Sequence, residues 1–182
     1  MNIVLIGYRC SGKSTVGKEL AARLQMAFVD TDDLIEEHQG IHIGEIVNLY
    51  GWDYFRAIER EVISEISSHD DFIIAAGGGA VLEPENVKAL KRNGFIIWLK
   101  ADRDVLLRRM DQDTQTITRR PSLTGKGVRE ELDEVLAYRQ PFYERIAEIQ
   151  LDTSILDVDK VVGRIVPAFL TLTSTLTYGG AR

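Results

Sequence analysis

The sequence predicts an α/β fold in which parallel strands are covered by helices on both faces. Short apolar runs rich in β-branched residues recur along the chain, and amphipathic stretches with helical spacing separate them. Strands that are buried on both faces have this composition. We predict strands at 2–6, 27–29, 72–76, 95–99 and 149–151. The 182 residues suit one domain, which we place at residues 1–166.

The first predicted strand leads directly into GYRCSGKST at residues 7–15. The spacing of Gly7, Gly12, Lys13 and Ser14 is that of a phosphate-binding loop. In such a loop, backbone N–H groups surround phosphate oxygens, the lysine reaches the β- and γ-phosphates, and the hydroxyl binds magnesium. Apolar residues then recur every four positions, which predicts a helix whose dipole favours phosphate. A glycine turn with a solvated lysine is the alternative, but the strand before and the helix after favour a nucleoside triphosphate site.

Two carboxylates follow the second predicted strand. Asp30 and Asp32 stand two residues apart in DTDDLIEEH, at the strand edge where open α/β sheets bind ligands. Phosphoryl transfer needs one acidic group near the metal and one for the attacking hydroxyl. The alternative is a helix cap followed by acidic residues that complement the helix dipole.

Further helices are predicted from apolar spacing and from their first residues. Residues 55–66 form an apolar stripe, and Pro84 stands in the first turn of a helix that ends before Gly94. Asp102 is predicted to cap a helix through residues 105–107.

Glycines and arginines provide further candidate ligand sites. Gly77, Gly78 and Gly79 follow the third strand, so the backbone passes close to a ligand or to another chain segment there. Arginine is the usual residue for two-point recognition of carboxylate or phosphate, although single arginines are more often solvated surface charges. The candidates are Arg56, Arg119, Arg120 and Arg139.

Two stretches interrupt the alternation of strands and helices. Residues 111–127 are polar and weakly periodic, and a loop of this length in a compact domain is functional or disordered. Residues 167–182 follow a proline and are mostly small or hydroxylated, so we expect a loosely ordered tail.

Composition restricts the class of protein. The net charge of −6 argues against broad nucleic-acid or anionic-membrane binding, and one cysteine excludes an internal disulfide. No apolar run approaches the ~20 residues of a membrane span, and the first strand begins at once without a signal peptide. We therefore expect a cytoplasmic enzyme. We also expect a monomer, because the sequence shows no exposed apolar stripe that would have to pack against a second chain.

In combination, these motifs resemble the shikimate kinase family. The resemblance covers residues 2 to about 166 and rests on GYRCSGKST, FVDTDDLI, Phe55–Arg56, the glycine run, RRP at 119–121 and YRQPFY at 138–143. It implies transfer of the γ-phosphoryl group of ATP to the 3-hydroxyl of shikimate, with Mg²⁺. It also implies the three-layer P-loop kinase fold, with a five-stranded parallel sheet of order 2-3-1-4-5 and a mobile lid at 111–127.

For the acceptor, the resemblance implies that Asp32 is the catalytic base or orients the hydroxyl. Arg56 and Arg139 would hold the shikimate carboxylate, and Glu59 would hold Arg56. The backbone of Gly78 and Gly79 would line the same pocket.

For the nucleotide, the resemblance implies that Lys13 and Arg120 neutralise the transferring phosphoryl group, with Arg109 against adenine. Ser14 would bind magnesium directly and Asp30 through water. The other implied ATP-binding residues are Gly7, Cys10, Ser11, Gly12 and Thr15. Arg9 and Cys10 depart from the family, which has smaller residues at these loop positions.

Two other functions remain open at the level of sequence. Another small-molecule kinase of this fold, such as a gluconate kinase or a nucleoside monophosphate kinase, is one alternative, and a gluconate kinase would share the loop without the combination DTD, FR and GGG. A non-catalytic nucleotide-binding module would bind ATP and yield no phosphorylated product.

Overall fold

The computed structural model describes residues 1–113 and 128–179 of the chain. Within these residues, five strands form one sheet of order β2-β3-β1-β4-β5, and every neighbouring pair is parallel. The strands are β1 Asn2–Ile6, β2 Ala27–Asp30, β3 Phe72–Ala75, β4 Gly94–Lys100 and β5 Ile149–Asp152. The predicted fold class and strand order are therefore confirmed, and the strand ends differ from the predicted ones by at most one residue.

Helices cover both faces of the sheet. Successive side chains of β1 point to opposite faces, as the pleat requires. Val4 and Ile6 belong to one buried cluster and Ile3 and Leu5 to another. The helices are α1 Lys13–Leu24, α2 Thr31–Gln39, α3 Ile43–Ile66, α4 Pro84–Asn93, α5 Arg103–Gln112, α6 Val128–Ile146 and α7 Val158–Gly179, with a 3₁₀ turn at Ala80–Leu82.

The helical predictions are confirmed with two adjustments. The predicted stripe at 55–66 is the second part of α3, which bends where Gly51 has φ 85° and ψ 171°. Asp102 does precede α5, but its side chain makes no capping hydrogen bond. The helix runs to Gln112, so the loop predicted from residue 111 begins later. Residues 114–127, which include Arg119, Arg120 and most of the predicted lid, lie outside the described residues.

The expected loose tail is wrong for residues 167–179, because these residues continue helix α7. Apolar residues continue the helical spacing past Pro167, and Phe169 is 6% exposed within the cluster that also holds Ile3 and Leu5. The threonines also satisfy local hydrogen bonds, since the Thr171 hydroxyl donates to the Pro167 carbonyl at 2.9 Å. Composition suggested a loop, but burial of one apolar stripe favours the helix. No described helix is long and apolar enough to cross a membrane.

Candidate active site

The phosphate-binding loop lies between β1 and α1, as predicted. Gly7 and Gly12 have φ values of 144° and 96°, a region that favours glycine. A Cβ at Gly7 would lie 2.3 Å from the Leu99 carbonyl oxygen, so this position has no room for a side chain. The Lys13 ammonium donates to the carbonyls of Gly7 at 2.9 Å and Tyr8 at 3.0 Å. The loop thus positions a mostly buried cation beside backbone that can receive phosphate.

A wide cavity, called here the phosphate cavity, opens over this loop. Its lining contains most of the residues predicted to bind nucleotide, and these are Cys10, Gly12, Lys13, Ser14, Thr15, Asp30 and Arg109. Gly7 and Ser11 are not among the described residues that line it. Ser11 instead lines a separate cavity together with Tyr8 and Tyr143.

Asp30 performs two tasks with its two carboxylate oxygens. Oδ1 accepts a hydrogen bond from the Asp32 backbone N–H at 3.1 Å and so caps α2. Oδ2 accepts from the Ser14 hydroxyl at 2.8 Å, on the side of the phosphate cavity. The capping interpretation and the ligand interpretation of Asp30 are therefore compatible.

A second, smaller cavity lies beside the first, and we call it the arginine cavity. It is lined by the side chains predicted to bind the acceptor and by aromatic residues, namely Arg9, Asp32, Ile43, Trp52, Phe55, Arg56, Glu59, Gly77, Gly78, Gly79 and Arg139. Asp32, Arg56 and Arg139 belong to α2, α3 and α6, so the fold brings distant parts of the sequence together.

A buried ion pair holds Arg56 in the arginine cavity. The Arg56 guanidinium donates to Glu59 at 2.6 Å, and the Glu59 side chain is 1% exposed. Burial raises the pKa of Glu59 above its ordinary value, and the neighbouring Arg56 opposes the rise. The guanidinium also lies 5.7 Å from the Trp52 ring centroid and 5.2 Å from that of Phe55. These contacts fix the orientation of Arg56 before any ligand binds.

The glycine run allows three functional side chains to approach the backbone. A Cβ at Gly77 would lie 2.7 Å from Asp32 Oδ1, and one at Gly79 would lie 2.6 Å from Arg56 Nη2. At Gly78 the corresponding distance to Arg139 Nη1 is 3.2 Å. The close approach predicted for the three glycines is therefore confirmed.

Tyr143 fixes the glycine run from the other side. Its hydroxyl donates to the Gly78 carbonyl at 2.5 Å, and burial raises its pKa to about 12. Sequence reasoning gave Tyr143 no role, although it lies in the YRQPFY motif.

Arg109 joins the phosphate-binding loop to the segment after β5. Its guanidinium donates to the Cys10 carbonyl at 3.2 Å, to the Thr153 hydroxyl at 3.0 Å and to the Thr153 carbonyl at 2.6 Å. The Thr153 hydroxyl donates in turn to the Ser11 carbonyl at 3.0 Å. Thr153 was missed as an individual residue because a single threonine after a strand carries no recognisable signal.

The two cavities meet at Asp32 and Arg9, the described residues that line both of them. Asp32 is 8% exposed and Arg9 is 6% exposed. A group that passes from one cavity to the other therefore passes a carboxylate and a guanidinium. Among the described residues there is no cluster of three or more His, Cys, Asp or Glu side chains that could hold a metal ion. A metal held by Ser14 and Asp30 would need oxygens from the ligand as well.

Comparison with known proteins agrees with this geometry. A family model described as shikimate kinase matches residues 9–169. The chain is 40% identical over 176 residues to a shikimate kinase of Syntrophus aciditrophicus, a match that covers 92% of this chain and 90% of the relative. It superposes with a TM-score of 0.85 on a shikimate kinase from Acinetobacter baumannii in complex with shikimate, at 30% identity and with 93% of each chain covered.

The gluconate alternative has weaker support. A gluconokinase from Sinorhizobium meliloti superposes with a TM-score of 0.56 at 17% identity, covering 100% of this chain and 97% of the other, and shares the fold alone. The match over residues 9–169 spans both the phosphate cavity and the arginine cavity. This chain is a member of the shikimate kinase family.

Proposed function

We propose that the chain transfers the γ-phosphoryl group of ATP to the 3-hydroxyl of shikimate, with ATP in the phosphate cavity and shikimate in the arginine cavity. The observation that carries this assignment is the junction of the two cavities at Asp32. A direct transfer needs the donor phosphate and the acceptor hydroxyl to meet at one point. A gluconate kinase remains the less favoured alternative, and a non-catalytic module does not account for an acceptor cavity lined by Arg56 and Arg139.

The chemical step takes place at this junction. The acceptor oxygen bonds to the γ-phosphorus while the bond from that phosphorus to the β–γ bridging oxygen breaks. ADP leaves with the electron pair, and the hydroxyl proton passes to the Asp32 carboxylate. Lys13 lines the phosphate cavity and stabilises the charge on the phosphate oxygens. The proposal gives the same task to Arg120, which lies outside the described residues.

The acceptor is held at its carboxylate. Arg56 and Arg139 line the arginine cavity, and a planar guanidinium forms paired hydrogen bonds with a carboxylate. Glu59 fixes Arg56, and the glycine run leaves room for both arginines and for Asp32. Binding the acid group at one end directs the hydroxyl at the other end towards Asp32.

Magnesium fits the oxygens of Ser14 and Asp30, which lie 2.8 Å apart in the phosphate cavity. Mg²⁺ prefers a few hard oxygen ligands from the protein and takes the others from phosphate and water. When bound, it would neutralise charge on the β- and γ-phosphates. Arg109 lies at the same cavity and is the proposed contact for adenine. One chain supplies both cavities, which supports a single chain as the working unit.

The assignment is tested by measuring ADP release with shikimate, gluconate and AMP as separate acceptors, with Mg-ATP present. Phosphorus NMR then identifies the phosphorylated product. We expect turnover with shikimate and background rates with the other two acceptors. Turnover with gluconate or AMP instead would reassign the acceptor, and ATP binding without product from any acceptor would favour the non-catalytic module.

A further inference from the structure

We propose that Arg9 is a ligand of the transferring phosphoryl group, in addition to Lys13. This role rests on the proposed function for the identity of the acceptor. The binding of ATP can be tested without knowing the acceptor. The proposal assigns a binding role to a side chain that stands in the phosphate-binding loop where a small residue was expected.

Arg9 and Asp32 are the described residues that line both cavities, so Arg9 lies on the route between donor and acceptor. The base for the hydroxyl and a cation for the phosphoryl group are complementary requirements of one transition state. Asp32 meets the first requirement, and Arg9 is placed to meet the second.

The Arg9 guanidinium is buried beside Glu131. The Arg9 side chain is 7% exposed, and Nη2 donates to Glu131 Oε1 at 3.0 Å. Nη1 is buried and has no hydrogen-bond partner among the residues that the structure describes. A buried guanidinium donor that stays unsatisfied is costly, so an anionic oxygen at this nitrogen would be bound strongly. The phosphate-binding loop brings such oxygens to this place.

Two contacts hold Arg9 in place. Glu131 is fully buried and belongs to α6, so the ion pair joins the phosphate-binding loop to that helix. The Arg9 guanidinium also lies 5.5 Å from the centroid of the Tyr8 ring. An arginine fixed on two sides does not have to be ordered again when ATP binds. The carboxylate of the acceptor already has Arg56 and Arg139, so phosphate is the better partner for Arg9.

The experiment measures binding of a non-hydrolysable ATP analogue and of ADP without any acceptor, so its result does not depend on the identity of the acceptor. The variant is Arg9→Met. We expect the analogue to bind about 10- to 100-fold more weakly, because a hydrogen bond to a charged group is lost, and ADP affinity to change little. Turnover should fall as well. Arg92→Met, which removes an exposed arginine from α4, is the matched control.

A purely structural role for Arg9 would give a different result. Arg9→Met leaves Glu131 buried without this partner, so the double variant Arg9→Met/Glu131→Gln tests the same question if the single variant does not fold. Equal loss of analogue and ADP affinity, with recovery of both in the double variant, would overturn the proposal. A loss of shikimate affinity alone would also overturn it and give Arg9 to the acceptor. Weaker binding of the ATP analogue with little change in ADP affinity, in either variant, supports the proposal, even if the wild-type chain phosphorylates another acceptor.

Discussion

The phosphate-binding loop and the arginine cavity are built in different ways. The phosphate-binding loop is nine consecutive residues, 7–15, whose shape depends on two glycines with positive φ and on the start of one helix. The arginine cavity takes residues from α2, α3, the glycine run and α6. A consecutive loop is determined by local chemistry, whereas an assembled cavity needs the whole fold first.

The two cavities also differ in how their charges are held. Lys13 is held by backbone carbonyls of its own loop, while Arg56 is held by a buried carboxylate. Backbone oxygens keep a cation in place without a second charge. A buried ion pair adds specificity, but it leaves an unpaired charge if either partner is removed. Substitutions should therefore affect the two cavities differently.

The largest effect is expected at Asp32, where the cavities meet. Asp32→Asn removes the proposed base, so turnover should fall by about 10²- to 10⁴-fold, while ATP affinity stays near that of the wild type. Steady-state rates and nucleotide titration measure the two effects. Asp33→Asn changes the exposed neighbour and is the matched control. Turnover of Asp32→Asn within a few-fold of the wild type would remove Asp32 from the mechanism.

The next largest effect is expected at Arg56 and Arg139, where substitution should weaken the binding of shikimate and leave the binding of ATP nearly unchanged. Arg56→Lys and Arg139→Lys keep the charge but lose the planar pair of donors. We expect the KM for shikimate to rise about 10- to 100-fold and ATP affinity to change little, because one charged hydrogen bond contributes about 1.5–3 kcal/mol. Arg60→Lys is the control, since Arg60 lies on the same helix and faces Glu83 and Glu85 instead of the cavity. Equal losses for both ligands would contradict this division.

The same contrast explains what the sequence could predict. The phosphate-binding loop, the buried strands and the close approach at GGG were all predicted, because glycine spacing and β-branched runs have local physical causes. Tyr143, Thr153 and the pairing of Arg9 with Glu131 were not, since each acts on a residue more than 40 positions away. The roles of Asp32, Arg56 and Arg139 came from the family resemblance and stay predictions. Helix α7 shows the opposite error, because polar composition concealed a buried stripe.

A smaller effect is expected in the glycine run. In Gly79→Ala, the new methyl group would lie 2.6 Å from Arg56 Nη2, so the guanidinium has to move. We expect the KM for shikimate to rise about tenfold, because displacement of a positioning group weakens binding without unfolding the chain. Gly163→Ala is the matched control, since a Cβ at Gly163 meets no atom within 4 Å. An unchanged KM in Gly79→Ala would mean that Arg56 does not need its present position.

The smallest effect concerns stability and tests the buried pair itself. In the folded chain, burial raises the pKa of Glu59 above the ordinary value of 4.5, and the neighbouring Arg56 opposes this rise. Above pH 4.5 the folded chain therefore holds a proton that the unfolded chain has lost, so the free energy of unfolding falls as pH rises through this window. Glu59→Gln cannot titrate, so the wild-type advantage over this variant should decrease as pH rises from 4.5 towards the raised pKa. Urea unfolding at a series of pH values measures this difference. Glu61→Gln, exposed on the same helix, is the control. A difference that stays flat or increases with pH would show that Arg56 outweighs burial and that Glu59 is ionised throughout.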